Sequence, residues 1–176
     1  MLYLIRLSAF CLALNALPAL AQQRPATPAQ QSAQAGPRQL GNFRDWTAAT
    51  YQENGQKICY AFTRASKTEP NRQGVVLTVT HRPAGRDAVA LVAGYAYPRN
   101  AEVTMAIGQT NLPFYTGGSS AFARDGAAVV AAMRGGSRAV MRGPGAGGRG
   151  TANDQISLAG FSAAYDAIAR ECPVRR

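Results

Sequence analysis

At 176 residues, with 19 Lys and Arg against 9 Asp and Glu, the chain has room for one domain and carries a formal net charge of +10. Three Cys and a single His are too few for a zinc cage, so no metal or other cofactor is expected. No apolar run reaches the ~20 residues of a membrane-spanning helix, which excludes a helical integral membrane protein.

Met1 to Ala21 reads as a secretory signal peptide. Arg6 supplies the positive n-region, Leu7 to Leu17 is apolar apart from Ser8 and Asn15, and Ala19-Leu20-Ala21 forms a small-x-small cleavage site behind Pro18. Cleavage near Ala21 discards Cys11 and predicts a periplasmic, secreted or outer-surface protein without a transmembrane segment. Loss of Arg6 takes 19 basic residues to 18 against 9 acidic ones, a net charge of about +9. Outside the cytoplasm such a charge points to anionic lipid, lipopolysaccharide, polysaccharide or an acidic protein surface rather than to nucleic acid. Plain solvated surface is the competing reading. The mature chain keeps Cys59 and Cys172, and two thiols in an oxidising compartment are expected to pair; a redox pair is the alternative, and no Cys-x-x-Cys accompanies it.

Residues 22–40, rich in Gln, Ala and Pro, are expected to be a disordered spacer, leaving 41–176 as a single β-rich domain. That domain opens with "NFRDWTAATY", in which Phe43 and Trp46 are the first large anchors, and Trp46 reads as core. "KICYAFTRA", "GVVLTVTHR", "AVALVAGYAYP" and "AEVTMAIG" read as strands from their β-branched and aromatic content and period-2 alternation. "NLPFYT" reads as a short edge strand, because Pro113 lacks a ladder donor. A short helix is expected near 125–134, with Asp125 as N-cap and Gly135-Gly136 as its stop. "SRAVMRG" and "TANDQISL" return to strand around the glycine-rich turn "RGPGAGGRG". A C-terminal helix near 160–171 carries Phe161, Ala164, Tyr165, Ile168 and Cys172 on one apolar stripe, and Pro173 ends it. Together these elements predict a mainly β protein, an antiparallel sheet or sandwich of about seven to nine short strands with two late helices.

Candidate chemistry is sparse. His81 has no nucleophile signature beside it, no pair of carboxylates stands out by spacing, and "TGGSS" at 116–120 lacks the Gly-Lys-Ser/Thr ending of a phosphate loop. Arg134, Arg138, Arg142 and Arg149 form the one local cluster of charge. Arg138 and Arg142 share a face of their strand, and with the other two they are a candidate anion-binding surface against the plainer reading of a solvated sheet face.

Three segments, "FRDWTAATY", "GQKICYAFTRASKTEPNRQGVVLTVTHRP" and "DQISLAGFSAAYDAIAREC", together resemble the invasion-associated locus B family of exported bacterial proteins. The resemblance spans about residues 41 to 173, and its most specific element is Leu158, Gly160, Phe161, Ala163 and Ala164. It implies a periplasmic or surface-associated β-rich protein without known catalytic activity. The partner is not identified by the sequence; an anionic envelope component or a host or partner protein is the expectation from charge and compartment. Many relatives carry a Cys soon after the opening Trp and a further pair mid-chain. Here Ala48-Ala49 and "FYTGGSSAF" stand in those places, so the resemblance implies a single bridge between Cys59 and Cys172. The family has no active-site motif to carry over. An enzyme acting on envelope material would instead require a pocket lined by Asp or Glu near His81. A structural or chaperone-like factor would show an exposed apolar face.

Overall fold

The computed structural model describes residues 36–173; the expected signal peptide, Cys11 and most of the expected spacer lie outside them. The described elements run β1 (Arg38–Phe43), β2 (Trp46–Glu53), β3 (Gln56–Arg64), β4 (Lys67–Glu69), β5 (Val76–Arg82), β6 (Gly85–Val92), β7 (Glu102–Ile107), β8 (Thr110–Gly117), β9 (Ser120–Ala123), α1 (Gly126–Gly135), β10 (Arg138–Pro144), β11 (Thr151–Ser157) and α2 (Phe161–Glu171). The strands form one antiparallel sheet in the order β1-β2-β3-β5-β6-β9-β8-β7-β10-β11-β4. The mainly β architecture therefore stands, as one sheet of eleven strands rather than seven to nine. Strands β4 and β9 have three and four residues, too few to display an alternation. β1 begins inside the segment read as spacer, so Arg38 to Leu40 are strand.

This sheet closes. Between β3 and β4 the Ala65 N–H donates to Val75, the residue just before β5, at 3.0 Å, and the Ser66 N–H donates to Gln155 of β11 at 2.8 Å. Consecutive amides that point to opposite neighbours are the signature of an interior strand. β3 and β4 are thus one bent strand, and the ladder returns through β11 to where it began. The result is a barrel of eight strands, with β2 and β1 continuing beyond β3 as a flap. Pro113 sits in β8, which pairs with both β7 and β9, so the expected edge strand is an interior one. Its carbonyl accepts from Arg124, one residue past the end of β9. The missing N–H faces the same side, where no ladder remains to be completed.

Alternate residues fill the barrel: Leu77 and Val79, Val89 and Leu91, Val103 and Met105, Leu112 and Phe114, Ala139 and Met141. Asp125 caps α1 by accepting from the Ala128 N–H at 2.9 Å, and Val129, Val130 and Met133 are its buried face. α2 lies on β1, β2 and β3 with Phe161, Ala164 and Ile168 buried, and the Phe161 ring centroid is 4.9 Å from that of Trp46. The Trp46 indole N–H donates to the Ser157 carbonyl at 2.9 Å, which satisfies the one polar atom of a fully buried side chain. At the far end of α2, Cys172 is bonded to Cys59 with Cα atoms 6.0 Å apart, within the ~4.4–6.8 Å that a disulfide requires.

Two measurements check this arrangement. The bridge closes 113 residues of sequence, so reduction, or paired substitution of Cys59→Ser and Cys172→Ser, is expected to lower unfolding free energy by about 4–5 kcal/mol in urea titration; a loss below 1 kcal/mol would show that the helix holds without it. Gly160, in the left-handed region at φ 91°, leads into α2, and a Cβ there would lie 1.8 Å from the Phe43 carbonyl oxygen. Gly160→Ala should therefore cost at least the ~1–3 kcal/mol of a strained backbone position, with reduced order in α2 by amide exchange.

Candidate functional site

A cleft of about 650 Å3 opens where the β2–β3 hairpin, the β5–β6 turn and the end of α2 meet, with Lys57, Arg82, Arg86, Glu171 and Cys172 on its walls. Its charges are committed to one another. Glu171 accepts from Lys57 at 2.8 Å and from Arg38 at 3.0 Å, and the hydrogen bond from Lys57 chiefly holds its carboxyl below the ordinary range. Arg82 lies 3.5 Å from Glu53, and Arg86 donates to the Cys172 carbonyl at 2.7 Å, so it completes the exposed end of α2. One ion-paired carboxylate is not the pair of carboxylates that general acid–base chemistry on a glycoside uses.

His81 stands apart from this cleft, inside the barrel, at 1% exposure. It is the cross-strand partner of Cys59 on β3, and its ring meets that of Tyr165 edge-on with centroids 5.1 Å apart. Asp87, held at φ 57°, places Oδ1 3.1 Å from His81 Nε2 and also accepts from the Tyr165 hydroxyl at 2.7 Å. The carboxylate fixes the proton on Nε2 and leaves Nδ1 as a bare lone pair, without a partner among the described residues. An Asp–His pair of this kind resembles the basic half of a triad. Here the imidazole faces packed side chains, and its neighbour Cys59 is held in the disulfide. Burial lowers the His81 pKa most, the nearby Arg86 charge lowers it further, and Asp87 opposes both.

A second buried pair locks the β4–β5 loop. Arg72 donates through Nη2 to both oxygens of Asp154 on β11 and through Nε to the Ala93 carbonyl at 2.9 Å, and its guanidinium lies 5.0 Å over the Tyr95 ring. Burial pushes the Asp154 carboxyl up against the pull of Arg72, and the Tyr97 hydroxyl is also raised by burial. With its guanidinium directed at Asp154, Ala93 and Pro70, Arg72 ties the β4–β5 loop to β11 at the barrel's seam.

The four arginines divide. Arg134 pairs with Asp166 of α2, with its guanidinium 4.6 Å over the Tyr165 ring, so it joins the two helices. Arg138 and Arg142 point outward from β10, opposite Ser157 and Asn153 of β11. About 13 Å separates them along the strand, and neither has a carboxylate within 4.0 Å among the described residues. Arg149 is exposed in the loop beyond the strand, past the 3-10 turn Ala146–Gly148. Arg138 and Arg142 are thus the pair that shares one sheet face.

Another face was missed by sequence reasoning. In β3 the small residues Cys59, Ala61 and Thr63 point inward and Tyr60 and Phe62 outward. A row runs from Phe62 through Thr78, Ala90 and Phe122 to Tyr115 across five neighbouring strands. Tyr115 and Val92, at 47% and 40%, are exposed large hydrophobics, and both lie on this face. Alternation in "CYAFTR" was visible, but large rings are the ordinary choice for the core, and only the position of α2 reveals the reversal.

A family model described as invasion associated locus B (IalB) protein matches residues 46–169. Among solved structures, invasion associated protein b from Bartonella henselae is similar, with a TM-score of 0.55 and 22% identity, covering 74% of this chain and 95% of that one. At that identity the likeness is one of fold. No curated protein matches. No helix of the described residues is long and apolar enough to cross a membrane.

The buried imidazole makes a pH prediction. Its folded pKa lies below the ordinary 6.5, so the unfolded chain takes up the proton first as pH falls. Stability should be full above about pH 6.5 and decline from there toward pH 5, before most carboxylates titrate. Thermal melts of His81→Gln should lose most of that slope; an unchanged slope would assign the pH dependence elsewhere.

Proposed function

Because the chain belongs to the invasion associated locus B family, we propose that it is an exported protein of the cell envelope that acts by binding, without catalysis, and that Arg138 and Arg142 make its contact with an anionic partner. The sequence features of a cleaved signal peptide, a single bridge that suits an oxidising compartment, and the absence of a membrane-crossing helix among the described residues support export to the periplasm or surface.

The observation that carries the binding reading is the contrast among the arginines. Arg72 and Arg134 are engaged internally, whereas Arg138 and Arg142 project from β10 with no carboxylate in reach among the described residues. Unpaired cations on a sheet face attract phosphate, sulfate or carboxylate groups at little reorganisation cost, and guanidinium groups bind such oxyanions in bidentate fashion. The polar buried clusters, in contrast, present no group to a substrate.

Sedimentation with phosphatidylglycerol vesicles tests this. At about 1 kcal/mol per basic residue near an anionic surface, Arg138→Gln with Arg142→Gln should weaken binding roughly 20- to 30-fold at low salt. Arg134→Gln should leave it within about twofold. Vesicle binding unchanged in the double variant would sink the proposal.

A further inference from the structure

The outer face over β3, β5, β6, β9 and β8 carries almost no charge. Its rows are Tyr60, Thr80 and Ala88; then Phe62, Thr78, Ala90, Phe122 and Tyr115; then Arg64, Val76, Val92, Ser120 and Gly117. Arg64 stands at one corner, and Arg124, ion-paired to Glu102 at 3.6 Å, borders the other side with its guanidinium 5.8 Å over Tyr115. The rings form two platforms. Tyr60 and Phe62 stack with centroids 5.8 Å apart and planes at 27°, and Tyr115 and Phe122 do so at 5.4 Å and 29°. Between them, over three strand spacings or ~14 Å, the floor drops to Thr78 and Ala90.

Size and shape select the occupant. Five strands and three rows cover about 24 by 20 Å, or under roughly 500 Å2. A stable dimer needs ~800 Å2 from each partner, and the outside of a barrel is convex, so two copies would touch over less still. A free acyl chain requires an enclosing cavity, whereas this saddle is open and interspersed with the hydroxyls of Thr78, Thr80 and Ser120. A charged polymer would find few counter-charges. An uncharged chain with flat C–H faces and hydroxyl edges fits each feature: its C–H faces stack on electron-rich ring faces, and its hydroxyls meet those of the floor. We propose that this face binds a neutral glycan segment laid across the strands, from the Tyr60–Phe62 pair to the Tyr115–Phe122 pair. The inference is independent of the anionic contact on β10.

The test is NMR titration of the oxidised protein with two neutral probes, the β-1,4-linked tetramers of N-acetylglucosamine and of glucose. Shifts should concentrate on β3, β5, β6 and β9 and persist in 0.5 M NaCl, where an Arg138/Arg142 contact would be screened. Phe62→Ser and Phe122→Ser should each weaken binding at least tenfold. Ala90→Arg, which leaves the rings in place and fills the saddle, should weaken it as much with an unchanged thermal melt. Failure of both tetramers to bind overturns the inference. So does binding that Ala90→Arg leaves intact. A dimer by ultracentrifugation that Ala90→Arg dissociates would assign the face to a second copy instead, and co-sedimentation with phosphatidylcholine vesicles would assign it to lipid; either result overturns the glycan reading.

Discussion

The docking of α2 against the flap side of the sheet sets the rest of the structure. Phe161 must reach Trp46, and Cys172 must reach Cys59, so the strand positions between these contacts can present only small side chains. Ala48 on β2 and Cys59, Ala61 and Thr63 on β3 meet that requirement. Gly160 meets it at the entry to the helix, where the chain passes so close to the Phe43 carbonyl that no Cβ fits. Once the inward positions are small, the large residues of β3 fall on the outside, because successive side chains alternate across a strand. The packing of one helix therefore determines which face of the barrel exposes its aromatics.

Stabilisation is distributed so that each end of α2 is fixed by a different kind of force. At its start the contact is apolar, a buried Trp–Phe pair worth about 0.5–1.5 kcal/mol beyond its area. Its end is covalent, and the surface ion pairs of Glu171 around it contribute far less, at most ~1 kcal/mol each. Between these ends, the His81–Asp87–Tyr165 network ties α2 to β5 and β6. Asp87 is only half-buried, but His81 is fully buried, so removing their shared carboxylate would leave the imidazole desolvated and unpaired. The same reasoning separates Arg72 from Arg138: one completes an interior carboxylate, and the other has no carboxylate partner among the described residues.

Local chemistry was legible in the sequence, and long-range closure was not. The Asp125 cap, the strands of β10 and β11, the apolar stripe of α2 and its break at Pro173 all follow from residues within one turn or one strand. The Leu158-Gly160-Phe161 signature carried the family resemblance, and its physical reason is the close approach of Gly160 to Phe43. Strands β1, β4 and β9 are short or polar, and they exist because neighbours supply their hydrogen bonds; no periodicity announces that. Pro113 looked like an edge marker, since its neighbour's early end cannot be seen from β8 alone. Arg134 looked like a member of the arginine strip because Asp166, its partner, lies 32 residues away.

Barrel closure has one more consequence. In the ring of eight strands, with β3 and β4 counted as one, β10 lies four places from β6 in either direction. Arg138 and Arg142 therefore project on the side opposite to Ala90 and Val92. Charge and aromatic surface are segregated by the circumference of the barrel, with Arg64 and the ion-paired Arg124 as cations at the margins of the uncharged face. Groups so far apart, with the core between them, share no partner, and their contributions to binding should add independently. If the proposed contacts on β10 and on the aromatic face both operate, their placement on opposite sides of the barrel allows two chemically different partners to be held at once. Occupation of one face need not displace what is held on the other.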